Sequence, residues 1–160
     1  MNLLCPAVVS GRYLPARCMD RAMPGGQNVS PPLLWGDVPL NVQSFALSVE
    51  DLEIKANDNV LWFVIDISKD QREIRERSSG IRDELPKGCL ELRNSRGLLG
   101  YEGPRLHLDE EPHRLLFRLF ALREPSLALG PFTPPDERLD QVQQKTLTEA
   151  RLELVAARSA

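Results

Sequence analysis

Apolar residues recur along this chain mainly in patterns that are typical of β-strands. In residues 44–49, large apolar side chains alternate with small or polar ones, which is the period of a strand with one buried face. Residues 60–67 and 115–122 are apolar at nearly every position, which predicts central strands covered on both sides. Leucines alternate with charged residues in 151–154, which indicates a strand near a sheet edge.

Proline and glycine interrupt these patterns often. The chain has 13 prolines and 10 glycines, which favours short strands joined by turns, and several such strands predict a β-sandwich. One helix is predicted over about residues 133–148, with Thr133 as an N-cap, prolines and acids in the first turn, and a thin apolar stripe. The charged segment 70–77 is open to two interpretations, a second short helix or a solvated surface segment.

A proline-rich segment, residues 27–35, has the sequence QNVSPPLLW. Pro31 and Pro32 cannot donate hydrogen bonds to a sheet and hold the backbone extended. Ser30 precedes a proline and is therefore also kept out of the helical region. We expect this stiff segment to deliver residues 33–35, Leu-Leu-Trp, to a core, with Trp35 as a packing residue.

The composition is that of an ordinary globular protein. At 160 residues we expect a single domain, residues 1–160, and the net charge of -3 argues against non-specific nucleic-acid binding. No apolar stretch approaches the length of a membrane span, and the N-terminus lacks the positive region of a secretory signal, so we expect a cytoplasmic protein. Cys5, Cys18 and Cys89 are widely spaced, so reduced thiols are expected, and neither a metal site nor a cofactor is predicted.

Several short motifs, together with the proline-rich segment, occur in the order found in one known family. They are Pro6-Ala7-Val8, Gly11 and Leu14-Pro15, the strand 44–51, Leu85-Pro86-Lys87-Gly88, Asn94, Gly97, Gly100-Tyr101, Gly103-Pro104, His113-Arg114 and a final strand at 147–154. The chain resembles the phosphatidylethanolamine-binding protein family, in particular its bacterial Raf kinase inhibitor-like branch. The resemblance implies an antiparallel β-sandwich with one or two peripheral helices, and a homodimer.

The resembling family has a small pocket that binds phosphate-like anions, in which histidines and backbone N–H groups hold the anion and an aspartate orients them. At the corresponding positions this chain has Asp51, Glu53, Trp62, Gly103, Pro104 and His113. For Trp62 a core role is the alternative. For Asp51 the alternative is a turn or salt-bridge residue, and for His113 it is a buried histidine hydrogen-bonded to an acid.

The chain departs from the family's pocket in several places. Leu61 stands where a histidine is expected, the prolines that follow Asp51 are missing, and the stretch before His113 is about two residues longer. Arg105 and His107 lie on that stretch and are either compensating positive groups or ordinary surface residues. We therefore expect a pocket that binds simple anions more weakly than an intact family member.

The resemblance, together with this modified pocket, implies a non-catalytic binding or regulatory module whose partner is a protein or a small phosphorylated ligand. A binder of a lipid headgroup or phosphorylated small molecule is one alternative. The other is a hydrolase using His113 and Asp51, but the chain has no Gly-x-Ser-x-Gly motif, and Ser30 shows no local activating base. We do not expect an enzyme.

Overall fold

The chain folds into two antiparallel sheets and one helix. The computed structural model describes residues 1–158, so the last two residues of the predicted domain lie outside the described part. The strands are β1 (Asn2–Leu4), β2 (Leu33–Gly36), β3 (Ser44–Asp51), β4 (Val60–Ser68), β5 (Glu73–Ile74), β6 (Leu90–Glu91), β7 (His113–Leu122) and β8 (Thr146–Ala156), with a 3-10 turn at Ala16–Cys18 and the helix α1 at Pro135–Lys145. A five-stranded sheet has the order β6-β4-β3-β7-β8, and a three-stranded sheet has the order β1-β2-β5. The predicted antiparallel β-sandwich is confirmed.

The strands predicted from the hydrophobic pattern form the centre of the larger sheet. β3, β4 and β7 cover the three predicted ranges and extend them by one to a few residues. β8 is the edge strand of this sheet, as the alternation in 151–154 predicts. Leu33 and Trp35 from β2 pack with residues of these strands in one core cluster between the two sheets.

The prediction that β3 has one exposed face is wrong. Ala46 and Ser48 are as fully buried as the large apolar residues that alternate with them. A second apolar cluster covers this outer face and contains Ala46, Phe63 and Val142 of helix α1. Small side chains at 46 and 48 therefore allow close packing instead of marking a solvated surface.

Helix α1 is confirmed, but with different ends. Its N-cap is Pro134, without a side-chain cap, and the Thr133 hydroxyl instead accepts a hydrogen bond from Gly130 N–H at 3.1 Å. The chain leaves the helix at Thr146 and enters β8 directly, so the predicted last turn is strand. Residues 146–148 satisfy their backbone groups in the sheet, and a thin apolar stripe does not outweigh that pairing.

Of the two interpretations of residues 70–77, the helix is wrong, because this segment contains the short strand β5. Ile74 is buried and pairs with Leu33, whereas Glu73 is exposed. A single apolar residue gives a helix no apolar face to bury, but it suits an extended segment in which neighbouring side chains point to opposite sides. The remaining charged residues are largely solvated.

The proline-rich segment reaches the core, as expected, but it contributes two side chains instead of three. Leu33 and Trp35 are buried, whereas Leu34 lies between them and is 39% exposed, so the prediction for Leu34 is wrong. The reason is that these residues form β2, in which alternate side chains face opposite ways. The Trp35 ring contacts Phe45 of the other sheet edge-on, with ring centroids 5.6 Å apart.

A register shift lies at the end of the large sheet where the candidate site is found. Val49 pairs with Trp62, but Glu50 pairs with Val60, so Leu61 lies in a bulge. Leu61 and Trp62 consequently both join the core between the sheets. At the same end β3 finishes and the neighbouring β7 begins, which brings the ends of these strands together.

Candidate functional site

His113 lies between two carboxylates. Its Nδ1 is 2.6 Å from Asp51 Oδ2, and its Nε2 is 2.8 Å from Glu110 Oε1. Ionised carboxylates only accept hydrogen bonds, so when both acids are ionised each ring nitrogen donates, which is the imidazolium form. Burial alone would lower the pKa of His113, but the hydrogen bonds to Asp51 and Glu110 outweigh it and raise the pKa above its usual value.

Asp51 is fully buried and is fixed on several sides. Its Oδ1 accepts a hydrogen bond from Glu53 N–H at 3.0 Å, and its backbone N–H and C=O exchange hydrogen bonds with Asn59. This local hydrogen bonding holds the turn where the resembling family has prolines. Asp51 thereby keeps a carboxylate oxygen directed at His113, which fixes the orientation of the ring.

Glu53 is adjacent in sequence to this turn, but Arg114 binds its carboxylate. Glu53 Oε2 accepts hydrogen bonds from Arg114 Nε at 2.8 Å and from Arg114 N–H at 3.1 Å. The Arg114 side-chain hydrogen bond is the main cause that lowers the pKa of Glu53. Glu53 therefore binds both the backbone and the side chain of Arg114 at the start of β7, on the solvent-exposed side.

Sequence reasoning missed Glu110 as a site residue. Its Oε2 accepts a hydrogen bond from His107 N–H at 2.7 Å, while Oε1 accepts from His113. These two hydrogen bonds lower the pKa of Glu110, with the His107 N–H as the larger cause. An acid three residues before the histidine, on the lengthened stretch, was the only signal in the sequence.

Arg105, the first predicted compensating residue, is held by Asp20. Arg105 Nη2 lies 3.2 Å from Asp20 Oδ1 and 3.1 Å from Oδ2, and Arg96 Nη1 lies 2.6 Å from the same carboxylate. Burial opposes ionisation of Asp20, but a backbone hydrogen bond from Ala22 and the two arginines lower its pKa. The second predicted residue, His107, has an exposed ring and contributes its backbone N–H.

Gly103 and Pro104 begin the loop that leads to Glu110 and pack against the backbone of Cys18 to Asp20. A Cβ at Gly103 would lie 2.3 Å from Cys18 O, so only glycine fits without movement. Gly103 N–H donates to Asn28 Oδ1 at 2.6 Å, and Pro104 O accepts from Asp20 N–H at 3.1 Å. These contacts anchor the start of the loop that carries Glu110 to the proline-rich segment.

Trp62 and Leu61 belong to the packed floor of this end of the sandwich. Trp62 is fully buried, donates from Nε1 to Glu91 Oε2 at 2.7 Å and packs edge-on against Tyr101. Leu61 is in the core cluster that also contains Ala156, the residue paired with His113. Leu61 therefore lies on the same side of the sheet as the histidine site, where it offers no hydrogen bond.

Other features of the described residues limit the chemistry of the site. Within residues 1–158, no group of three or more His, Cys, Asp or Glu side chains could hold a metal ion. Cys5, Cys18 and Cys89 are free thiols, and burial raises the pKa of Cys18 to about 12 and that of Cys89 to about 11. None of the helices in this part of the chain is long and apolar enough to cross a membrane.

The two antiparallel sheets, of five and three strands, define the class of fold. The chain belongs to the phosphatidylethanolamine-binding protein family, whose model matches residues 5–156. It is 33% identical over 127 residues to a UPF0098 protein of Methanothermobacter thermautotrophicus, covering 79% of this chain and 82% of the relative. It is 30% identical over 124 residues to the UPF0098 protein YbhB of Escherichia coli, covering 76% and 78%.

Solved structures support the same fold. The structure described as Escherichia coli YbcL, a new member of the mammalian PEBP family, superposes with a TM-score of 0.88 at 22% identity, covering 99% of this chain and 98% of that one. A putative phosphatidylethanolamine-binding protein homologue, CT736 of Chlamydia trachomatis, gives a TM-score of 0.81 at 22% identity, covering 99% and 97%. At this identity the likeness concerns the fold alone.

Proposed function

We propose that this protein is a non-catalytic binding module that recognises a small anionic group at His113. The observation that supports the proposal is the contact between the His113 imidazolium and the Glu110 carboxylate, 2.8 Å from Nε2. A buried ring held in one orientation by Asp51 directs a charged N–H donor to a position where an anion already sits. Charge-assisted hydrogen bonds of this kind are stronger than neutral ones.

The same contacts argue against the hydrolase alternative. A general base must have a free lone pair within reach of the proton that it removes. Both nitrogens of His113 face carboxylates, and these contacts raise its pKa and favour the protonated ring, which has no free lone pair. Both oxygens of the buried Asp51 carboxylate also have partners. Oδ2 contacts His113, and Oδ1 accepts a hydrogen bond from Glu53 N–H.

NMR of the two imidazole rings tests this proposal directly, since the chain contains only His107 and His113. Acetate, phosphate and phosphoethanolamine are titrated in turn at constant pH. The proposal expects a saturable shift of the His113 ring signals that is abolished in His113→Asn and retained in His107→Ala. If none of the three anions shifts the His113 signals in either the wild type or Glu110→Ala, or if a panel of ester and phosphoester substrates is turned over, the proposal is wrong. A response to phosphoethanolamine alone would favour the headgroup alternative.

We also propose the finer assignments that the resemblance implies. These are the Raf kinase inhibitor-like branch, a protein partner or small phosphorylated ligand, a cytoplasmic location and a homodimer. Three free cysteines support a reducing compartment. Leu90, Leu98 and Leu99 are each at least 50% exposed around edge strand β6 and offer an apolar surface to a second copy. Light scattering that shows a monomer at high micromolar concentration would rule out the dimer.

A further inference from the structure

Glu110 occupies the His113 site in the way that a bound ligand would. Its two carboxylate oxygens each accept one hydrogen bond, Oε1 from His113 Nε2 and Oε2 from His107 N–H. Glu110 N–H also donates to His107 O at 3.1 Å, which closes a short turn and keeps the carboxylate in place. The carboxylate is thus attached to the site by a tether of only a few residues.

The donors around this carboxylate fit its geometry. One N–H reaches each oxygen, which is the planar, two-pronged arrangement of a carboxylate, at 2.8 Å and 2.7 Å. A phosphate has three terminal oxygens and up to two negative charges, so it would need further donors. Arg105, the arginine on this loop, directs both of its side-chain hydrogen bonds to Asp20. Leu61, in the core below the site, is apolar and supplies no donor.

The charge of the site leads to the same conclusion. Asp51 places a buried carboxyl group 2.6 Å from His113. An external carboxylate that replaces Glu110 leaves the charge of the site unchanged, whereas a phosphate dianion adds one negative charge near Asp51. Repulsion between like charges therefore disfavours phosphate.

We propose that the His113 site recognises carboxylates and that Glu110 is its built-in competitor, which an external carboxylate must displace. The inference rests on the proposed function and specifies its ligand class. A tethered group acts at a millimolar or higher effective concentration, so it lowers the apparent affinity for any free ligand. The site therefore opens only to a carboxylate presented at high concentration or with additional contacts.

The test compares acetate and phosphate binding to the wild-type chain, Glu110→Ala and Glu110→Gln, read from the His113 ring signals. Glu111→Ala is the matched control, because Glu111 is the exposed neighbouring acid and the substitution removes the same charge. Amide spectra establish that each variant is folded. We expect acetate affinity to rise about tenfold to a hundredfold in Glu110→Ala, because a charge-assisted hydrogen bond contributes about that much to affinity. It should rise less in Glu110→Gln and stay unchanged in Glu111→Ala, and acetate should bind more tightly than phosphate.

Each other outcome overturns a defined part of the inference. Equal acetate affinity in the wild type and Glu110→Ala would show that Glu110 is not a competitor, although the anion site itself would stand. Tighter binding of phosphate than acetate to Glu110→Ala would overturn the ligand class and leave the proposed function intact. If neither anion perturbs His113 in folded Glu110→Ala, the proposed function and this inference both fail.

Discussion

Gly103 and Cys18 approach each other so closely that a methyl group on Gly103 would lie 2.3 Å from the Cys18 carbonyl oxygen. The neighbouring backbone atoms of Met19 and Asp20 would be less than 3 Å away as well. Since these are main-chain atoms, no side-chain rotation can relieve the overlap. This contact sets where the loop bearing Glu110 leaves the sandwich.

Gly103→Ala should therefore destabilise the fold. Overpacking against rigid backbone costs roughly 1–3 kcal/mol, and we expect a loss in this range in urea unfolding followed by tryptophan fluorescence. Gly130→Ala is the control, because a Cβ there meets only Thr133 Oγ1 at 4.0 Å. Equal stability of the two variants would contradict the requirement for glycine at 103.

The strands of the large sheet were predictable because their pattern is local. A run such as 60–67 is apolar on both faces whatever it packs against, and that alone predicts a central strand. The burial of Ala46 was not predictable in this way, since it depends on a helix formed about 90 residues later in the chain. Leu34 shows the same limit, because its exposure depends on the pairing partners of β2.

The candidate site was predictable only in part. The motif pattern identified His113 and Asp51, and the structure brings these two side chains together at 2.6 Å. Glu110 is one of three consecutive acids, and nothing local indicates which of them turns back onto the ring. Likewise, Arg105 and Asp20 are 85 residues apart in the sequence, so no local pattern could predict their ion pair.

The indole of Trp62 depends on a single carboxylate for its hydrogen bond. Glu91 Oε2 accepts from Trp62 Nε1 at 2.7 Å and from Ser79 Oγ at 2.6 Å, while Oε1 accepts from Gly80 N–H. Glu91→Ala leaves the buried indole N–H without a partner, which costs about 1–3 kcal/mol. We expect that loss in denaturant unfolding, together with a change in tryptophan fluorescence.

Glu84→Ala serves as the control for this prediction, because Glu84 is exposed. It removes the same charge and should leave stability within about 0.5 kcal/mol of the wild type. A Glu91→Ala variant as stable as Glu84→Ala would mean that water replaces the carboxylate at no cost.

The His113–Glu110 pair should make stability depend on pH with a defined sign. The pKa of His113 is raised in the folded state, so its contribution is complete below the unfolded value of about 6.5 and is lost as the pH rises through the folded value. The pKa of Glu110 is lowered, so its contribution is complete above about 4.3 and is lost as the pH falls through its folded value. The pair therefore stabilises the fold most between these limits, at about pH 4.3–6.5.

The difference in unfolding free energy between the wild type and Glu110→Gln measures this contribution across pH 3–9. It should be largest near pH 5–6 and decline towards both ends, and the NMR-derived pKa of His113 should fall in the variant because one of its two carboxylate partners is neutral. Asp51 contacts the ring and Glu53 binds Arg114 in both proteins, so the substitution changes only the Glu110 contact directly. Glu111→Gln removes the same charge without the contact and should give a nearly flat curve. A flat curve for Glu110→Gln as well would show that the carboxylate does not bind the imidazolium in solution.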